Sequence, residues 1–320
     1  MKTVTLAALL CAAQLLSSSA MAAANKPAPK KAKPKPPVQQ AAPAKTRSGA
    51  EILAQSPDSH WRGLNPDNTL LMELPSGPVL IELAPRFAPR HVANIRKLAH
   101  GGFFDGLAVV RVQDNFVAQW GDPNADDLAL AKPLGAAAAK LPAEFAVPLK
   151  GLPIARLPDL DGWAPLTGFV DGFPVAANPK TGRAWLAHCY SMVGAGRSDA
   201  VDSSTGAELY AVIGQAPRGL DLNITLVGRV LKGIELLASL PRGGPNMGFY
   251  ENAEQRQPIQ RVRLLSDMPA AERPALQVLR TDSETWTALL ASRRNRGGWF
   301  VHNPNHVDLC GVSPPTRPAK

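Results

Sequence analysis

One arginine inside an apolar run limits how this chain can fold more than any other feature. Residues 103–123 read FFDGLAVVRVQDNFVAQWGDP, and Arg111 sits in a stretch that otherwise looks like a strand. A strand carries a charge only where that side chain leaves the core or finds a partner, because an unpaired buried charge is costly. Phe116 follows five residues later and Gln119 three after that. If the run is a barrel strand with its turn, a permanent cation, an aromatic ring and an amide can share one surface groove. Taken singly, such an arginine is usually solvated or salt-bridged, and such a phenylalanine usually belongs to a core.

The flanking segments supply the rest of a β fold. Residues 68–83 hold two apolar runs, LLMEL and PVLIEL, around the turn cluster Pro75-Ser76-Gly77-Pro78, which predicts a hairpin. Val79, Ile81 and Leu83 fall on one face at the two-residue strand period. Pro89 suits the first turn of a helix striped by Val92, Ile95 and Leu98, and Gly101-Gly102 ends it. Runs at 185–192, 208–214 and 224–230 read as strands, 232–240 as a short helix and 259–265 as a closing strand. This order argues for a mostly β chain, a closed antiparallel barrel capped by two helices. Residues 124–183 are rich in Pro and Gly and longer than a barrel connection needs. They read as an insertion, ordered in part by Phe145, Trp163 and Phe169. Beyond residue 266, Thr281-Asp282-Ser283-Glu284 carries a capping-box signal, and Trp286, Leu289 and Leu290 stripe the helix after it. Arg293, Arg294 and Arg296 suit the C-terminal end of that helix dipole. The helical extension, 267–320, is expected to pack on the barrel.

The Arg111 segment resembles the core of cyclophilin-type peptidyl-prolyl isomerases, which reads roughly F-H-R-V-x-x-x-F-M-x-Q-G-G-D-P. Arg111, Val112, Phe116, Gln119, Gly121, Asp122 and Pro123 agree with it, while Val109-Val110 stand for Phe-His, Val117 for Met and Trp120 for the first Gly. A second patch, LVGRVLKGIELLASL at 226–240, is similar to the family's V-F-G-x-V-x-x-G-x-x-V-x-x-I, with Gly228 and Gly233 at turn positions. The resemblance covers about residues 67–266, the insertion at 124–183 being unmatched. It implies that Arg111 is the catalytic donor, that Gln119 binds the substrate backbone, and that Phe116, Val117, Tyr210 and Leu220 wall a pocket for the proline ring. Tyr210 and Leu220 are placed by matching Gly206-Ala207-Glu208-Leu209-Tyr210 to G-S-Q-F-F and Gly219-Leu220-Asp221 to W-L-D. On that match Glu208 replaces a groove glutamine, Gly219 a rim tryptophan, Ile224 a pocket-edge histidine, and Val193-Gly194 the Ala-Asn that receives the substrate backbone. Glu208 either orients Arg111 or competes with the substrate nitrogen for it.

The chemistry implied is cis–trans isomerisation of X-Pro bonds, with no cofactor and no metal. Amide resonance sets a rotational barrier of about 18–20 kcal/mol. Twisting leaves the nitrogen pyramidal with a lone pair, so a fixed donor aimed at it binds the transition state better than the planar ground state. Arginine suits this role because it stays protonated and offers a rigid fork of donors. The alternative is a peptide-binding or chaperone module that keeps the groove without turnover, favoured by Glu208, Val193-Gly194 and Gly219.

The N-terminal end reads as an export signal. Lys2 precedes an apolar run from Val4 to Leu16, too short to span a bilayer, and Ala20-Met21-Ala22 is a cleavage site, giving a signal peptide at 1–22 and a periplasmic destination. Residues 23–50 are Ala/Pro/Lys-rich and read as a disordered linker. Residues 1–50 hold eight of the 35 basic side chains and no acid, so the remaining 270 residues are near neutral and no nucleic-acid-binding face is implied. The expected partners are proline-containing unfolded or exported polypeptides, with no transmembrane segment and a monomeric state. Contact between the basic linker and anionic envelope polymers is a further reading. Beyond the signal, Cys189 and Cys310 either form a disulfide or stay as two buried thiols. His302, His306 and Cys310 recur every four residues, but Asn303-Pro304-Asn305 breaks the helix that would align them on a metal. No serine lies in a G-x-S-x-G elbow and no phosphate-binding glycine loop occurs.

Overall fold

The computed structural model describes residues 47–127, 129–297 and 299–319. The signal-peptide reading of 1–22 and nearly all of the linker reading of 23–50 fall outside them. The linker ends earlier than expected, because Ser48 starts a helix. The Glu51 N–H donates to the Ser48 hydroxyl at 3.2 Å and the Ser48 N–H donates to the Glu51 carboxylate at 2.7 Å, a capping box for α1 (Gly49–Ala54).

In chain order the strands are β1 (Trp61–Gly63), β2 (Thr69–Leu74), β3 (Gly77–Leu83), β4 (Ala108–Val112), β5 (Val117–Gly121), β6 (Val147–Pro148), β7 (Ala155–Arg156), β8 (Leu166–Val170) and β9 (Phe173–Asn178). They continue as β10 (Arg183–Leu186), β11 (Met192–Ala195), β12 (Leu209–Val212), β13 (Leu226–Lys232), β14 (Gln257–Pro258), β15 (Arg261–Leu264), β16 (Leu276–Leu279) and β17 (Thr316–Pro318). Helix α2 (Pro89–His100) follows β3, α3 (Ile234–Ala238) follows β13, and α4 (Glu284–Arg294) lies between β16 and β17.

Nine strands form one curled antiparallel sheet in the order β14-β4-β5-β12-β11-β13-β3-β2-β15. The two ends of that order are neighbours in sequence. Gln257 and Pro258 pair with β4, Arg261–Leu264 pair with β2, and between them the Ile259 N–H donates to Leu107 and the Gln260 N–H to Glu73. One chain segment therefore reaches both ends of the sheet. Its inner face carries Leu70, Met72, Val79, Ile81, Val109, Val112, Ala118, Trp120, Leu209 and Val227, and α2 adds Val92, Ile95 and Leu98 to the same core. Burying each of the Leu, Ile, Val and Met side chains contributes about 1.5–3 kcal/mol. Trp120, the large residue at a family glycine position, is among these fully buried groups.

The insertion is more regular than its composition suggests. It builds a second, five-stranded antiparallel sheet in the order β6-β10-β9-β8-β7. Residues 185–192, expected as one barrel strand, are divided between the two sheets. β10 completes the second sheet, residues 187–189 are irregular, and β11 begins the return to the first. An apolar run records burial and not which of two cores receives it. Phe169 is buried in the second core, as expected, but Trp163 is 60% exposed.

The C-terminal extension packs chiefly with this insertion, not on the barrel alone. Trp286 meets Phe169 edge to face at 5.0 Å between ring centres, and Leu289, Leu290, Val307, Leu309 and Val312 join the same core. The α4 cap is Ser283, whose hydroxyl accepts from the Trp286 N–H, two residues beyond the first residue of the sequence signal. Thr281 is buried instead. β16 pairs with both β1 and β17, tying the extension to the segment ahead of the barrel. Cys189 and Cys310 form a disulfide that joins the extension to the turn before β11.

Candidate active site

A β-bulge delivers Arg111 to the outer face of the curled sheet. Val109 and Arg111 are two residues apart and would share a face in a regular strand. The β4–β5 register shifts between them, so Val109 is buried in the inner core while Arg111 stands half-buried on the opposite face. Arg111 pairs with Gln119 across β4–β5, Gln119 with Tyr210 across β5–β12, and Tyr210 with Gly194 across β12–β11. Residues from four strands thus lie in one row.

Arg111 is held at three of its five N–H groups. Nε donates to the Met247 carbonyl at 2.7 Å, Nη1 donates to Gln119 Oε1 at 2.9 Å, and Nη2 donates to Gln113 Oε1. One N–H on each terminal nitrogen remains for an acceptor from outside the described residues. The Phe116 and Phe249 rings lie 5.5 and 5.2 Å from the guanidinium carbon, within cation–π range. Burial draws the Arg111 pKa down, with Glu208 opposing, and the guanidinium keeps its charge regardless.

The segment that carries Met247 and Phe249 runs along the β14 side of β4, past the end of the Gln257–Pro258 pairing. The Val112 N–H donates to Gly248 at 2.8 Å and the Tyr250 N–H to Val110 at 3.0 Å. Gly248 adopts φ +81°, and a Cβ there would lie 2.6 Å from the Gln113 backbone, so glycine permits this close approach. Nothing in the sequence pattern pointed to Met247 or Phe249. For Gln113 a sequence signal exists, its place two residues from Arg111 at the strand period.

Gln119 stands between Arg111 and Glu208. Its Oε1 accepts from Arg111 and its Nε2 donates to Glu208 Oε1. Glu208 therefore acts on the arginine through the amide. Burial pushes the Glu208 carboxyl above its ordinary range; the Gln119 hydrogen bond and the Arg111 charge pull it back, and Asp126 adds to the rise.

The apolar wall is Phe116, Val117, Tyr210, Val212 and Ile224. Leu220, expected in it, lies half-buried at the end of a short 3-10 turn (Arg218–Leu220) and is not part of that cluster. Its carbonyl instead receives the N–H groups of Asn223 and Ile224, and Ile224 supplies the apolar contact. Tyr210 lays its ring over Gly194, where a Cβ would fall 2.2 Å from the phenol.

The phenol begins a buried polar chain. Tyr210 O–H donates to His188 Nε2 at 2.9 Å, and His188 Nδ1 donates to Asp221 Oδ1 at 2.9 Å. Asp221 Oδ2 accepts from Arg218 Nε at 2.6 Å and from Trp185 Nε1 at 3.2 Å, and Arg218 Nη1 donates to Asp161 Oδ2 at 3.0 Å. Burial drives the Tyr210 phenol far above its usual pKa, with Asp221 adding to it, so the hydroxyl stays a donor. Burial also pushes Asp221 up, but His188 and Arg218 outweigh it and hold the carboxyl below its usual range. His188 and Cys189 fall in the 185–192 run expected as a strand, but neither residue is in one. Cys310 is bonded to Cys189, which removes the thiol from the His302, His306 and Cys310 trio.

Residues 69–266 match the family described as cyclophilin type peptidyl-prolyl cis-trans isomerase/CLD. The chain belongs to this family. It is 47% identical over 58 residues to a probable peptidyl-prolyl cis-trans isomerase of Brucella suis biovar 1 (strain 1330), a stretch covering 18% of this chain and 30% of the relative. It is 54% identical over 43 residues to peptidyl-prolyl cis-trans isomerase B of Bacillus subtilis (strain 168), covering 13% and 30%. The chain thus spans about 30% of the length of these curated relatives. The crystal structure of cyclophilin AquaCyp293 from Hirschia baltica superposes with a TM-score of 0.67 at 25% identity, covering 86% of this chain and 99% of that one. That share exceeds residues 69–266, so the likeness reaches beyond the family core. Among the described residues no helix is long and apolar enough to cross a membrane.

Proposed function

We propose that this cyclophilin-family chain isomerises X-Pro bonds in extended polypeptide segments, with Arg111 as the catalytic residue. The observation that carries this is the setting of Arg111, fixed through three N–H groups beside Phe116 with two N–H groups to spare. A donor held in this way loses little freedom when the amide nitrogen becomes pyramidal. The proline ring rests on Phe116, Val117, Tyr210 and Ile224, and the second Nε2 hydrogen of Gln119 meets the substrate backbone. Each tenfold acceleration requires about 1.36 kcal/mol of preference for the twisted amide. The test is cis–trans exchange of a short X-Pro peptide by NMR, with Arg111→Ala as the comparison. Fast exchange that collapses in the variant supports the reading. Peptide binding without accelerated exchange would make the chain a binding or chaperone module.

The substrates we propose are exported polypeptides in the periplasm. The Lys2, Val4–Leu16 and Ala20-Met21-Ala22 pattern and the Cys189–Cys310 bond support an oxidising destination. N-terminal sequencing of the chain recovered from the periplasmic fraction tests this, since export with cleavage yields Ala23 as the first residue. Envelope contact through the basic linker predicts salt-sensitive sedimentation with envelope fractions that deletion of 23–46 removes.

A further inference from the structure

The insertion, the barrel and the extension meet in a cleft of about 420 Å³ beside the candidate groove. Trp163 of the insertion lines it and is 60% exposed; Tyr190 of the turn before β11 also lines it and is 42% exposed. Isolated exposed apolar residues are ordinary, but here two large rings line one concavity, together with the polar groups of Gln215 and Asp308. Neither ring is needed by the fold, since neither belongs to a hydrophobic core among the described residues.

The backbone at Trp163 is tied down. Its N–H and that of Ala164 donate to Asp161 Oδ1 at 2.8 and 2.9 Å, and Asp161 is clamped by buried Arg218. Arg218 lines the same cleft, yet its charge is matched by Asp161 and Asp221, so it adds no net attraction for an anion. A fixed backbone leaves only the two side-chain torsions of Trp163 to be ordered on binding.

The cleft adjoins the turn that carries Phe116 and shares no lining residue with the proline wall. Gly214 and Gln215 line the cleft, the Gln215 N–H donates to Asn115 Oδ1 at 2.7 Å, and the Ile213 N–H donates to the Phe116 carbonyl at 2.9 Å. The turn that presents Phe116 to one site is therefore bonded to the wall of the other.

We propose that this cleft is a second subsite for the same polypeptide substrate, taking an aromatic or large aliphatic side chain a few residues from the proline. The proposal rests on the isomerase reading above and adds to it a sequence preference outside the X-Pro pair. The test compares kcat/KM for an all-alanine peptide with one central proline against the same peptide carrying one Phe, placed in turn at each nearby position on either side. At one or two positions Phe should raise kcat/KM, and Trp163→Ala should lower that Phe-to-Ala ratio by up to about tenfold, a truncation effect of about 1.4 kcal/mol. Tyr190→Ala, from another part of the cleft, should lower the same ratio. A wild-type protein that isomerises all these peptides at equal kcat/KM, or a preference untouched by both variants, overturns the subsite alone. Absence of isomerisation for every peptide overturns the isomerase reading and the subsite with it.

Discussion

The two halves of the candidate groove are built in different ways. Arg111, Gln113, Phe116 and Gln119 come from nine consecutive residues, and one hairpin with one bulge sets their geometry. Tyr210, His188, Asp221, Arg218 and Asp161 come from four separated stretches and are joined by buried hydrogen bonds and ion pairs. The first half agrees closely with the family pattern, whereas the second departs from it at Glu208, Tyr210, Gly219 and Ile224. A local hairpin can keep its chemistry while the wall opposite changes, provided that wall finds other means of support. Here the support reaches Asp161, inside the insertion.

The strongest way to break this comparison is to remove the charge at the centre of the second half. Arg218→Ala leaves Asp161 and Asp221 buried without their cation, and should cost about 3–5 kcal/mol in urea unfolding. A loss near that of an ordinary surface substitution would show that the wall does not depend on the network.

The first half should respond in activity instead. Arg111→Ala should lower kcat/KM by about 10²–10³-fold, or about 2.7–4 kcal/mol, the range for removing one transition-state donor. Arg111→Lys should recover little of this, because an ammonium that donates to Gln113, Gln119 and Met247 has no N–H left for the substrate. An equal fall in stability and activity would mean that the arginine is structural.

Tyr210→Phe separates support from chemistry within one residue. It keeps the ring over Gly194 but leaves buried His188 Nε2 without its donor, so stability should drop by about 1–3 kcal/mol. The activity loss should be far smaller than that of Arg111→Ala.

The smallest effect expected is a pH dependence at Glu208, where the halves meet. Its folded carboxyl has a raised pKa, so folding favours the protonated form. The resulting stability is fully present below the ordinary glutamate pKa and is lost as pH rises through the folded value. Glu208→Gln should therefore gain stability relative to the wild type with rising pH across that window. Activity should move oppositely in the wild type, falling as acid protonates the acceptor of Gln119, while the variant stays flat. A wild-type profile as flat as the variant's would remove Glu208 from the site.

Much of the barrel could be read along the chain. The β2–β3 hairpin, α2 from Pro89, and the Arg111–Gln119 cluster each depend on spacing within about a dozen residues, where strand period, proline and glycine carry direct information. The differences from these expectations are non-local. The 185–192 run is divided between two cores, the extension packs with the insertion, Ile224 takes the place expected for Leu220, and Trp163 faces solvent.

Local order was thus decided by side-chain period and turn chemistry, which act between near neighbours and leave a pattern in the sequence. The bulge that turns Arg111 outward, the Gln119 link to Glu208, the chain from Tyr210 to Asp161 and the Cys189–Cys310 bond were decided by tertiary structure. Each joins groups whose distance depends on the path of the whole chain, and neither partner's sequence neighbourhood records where that path brings it.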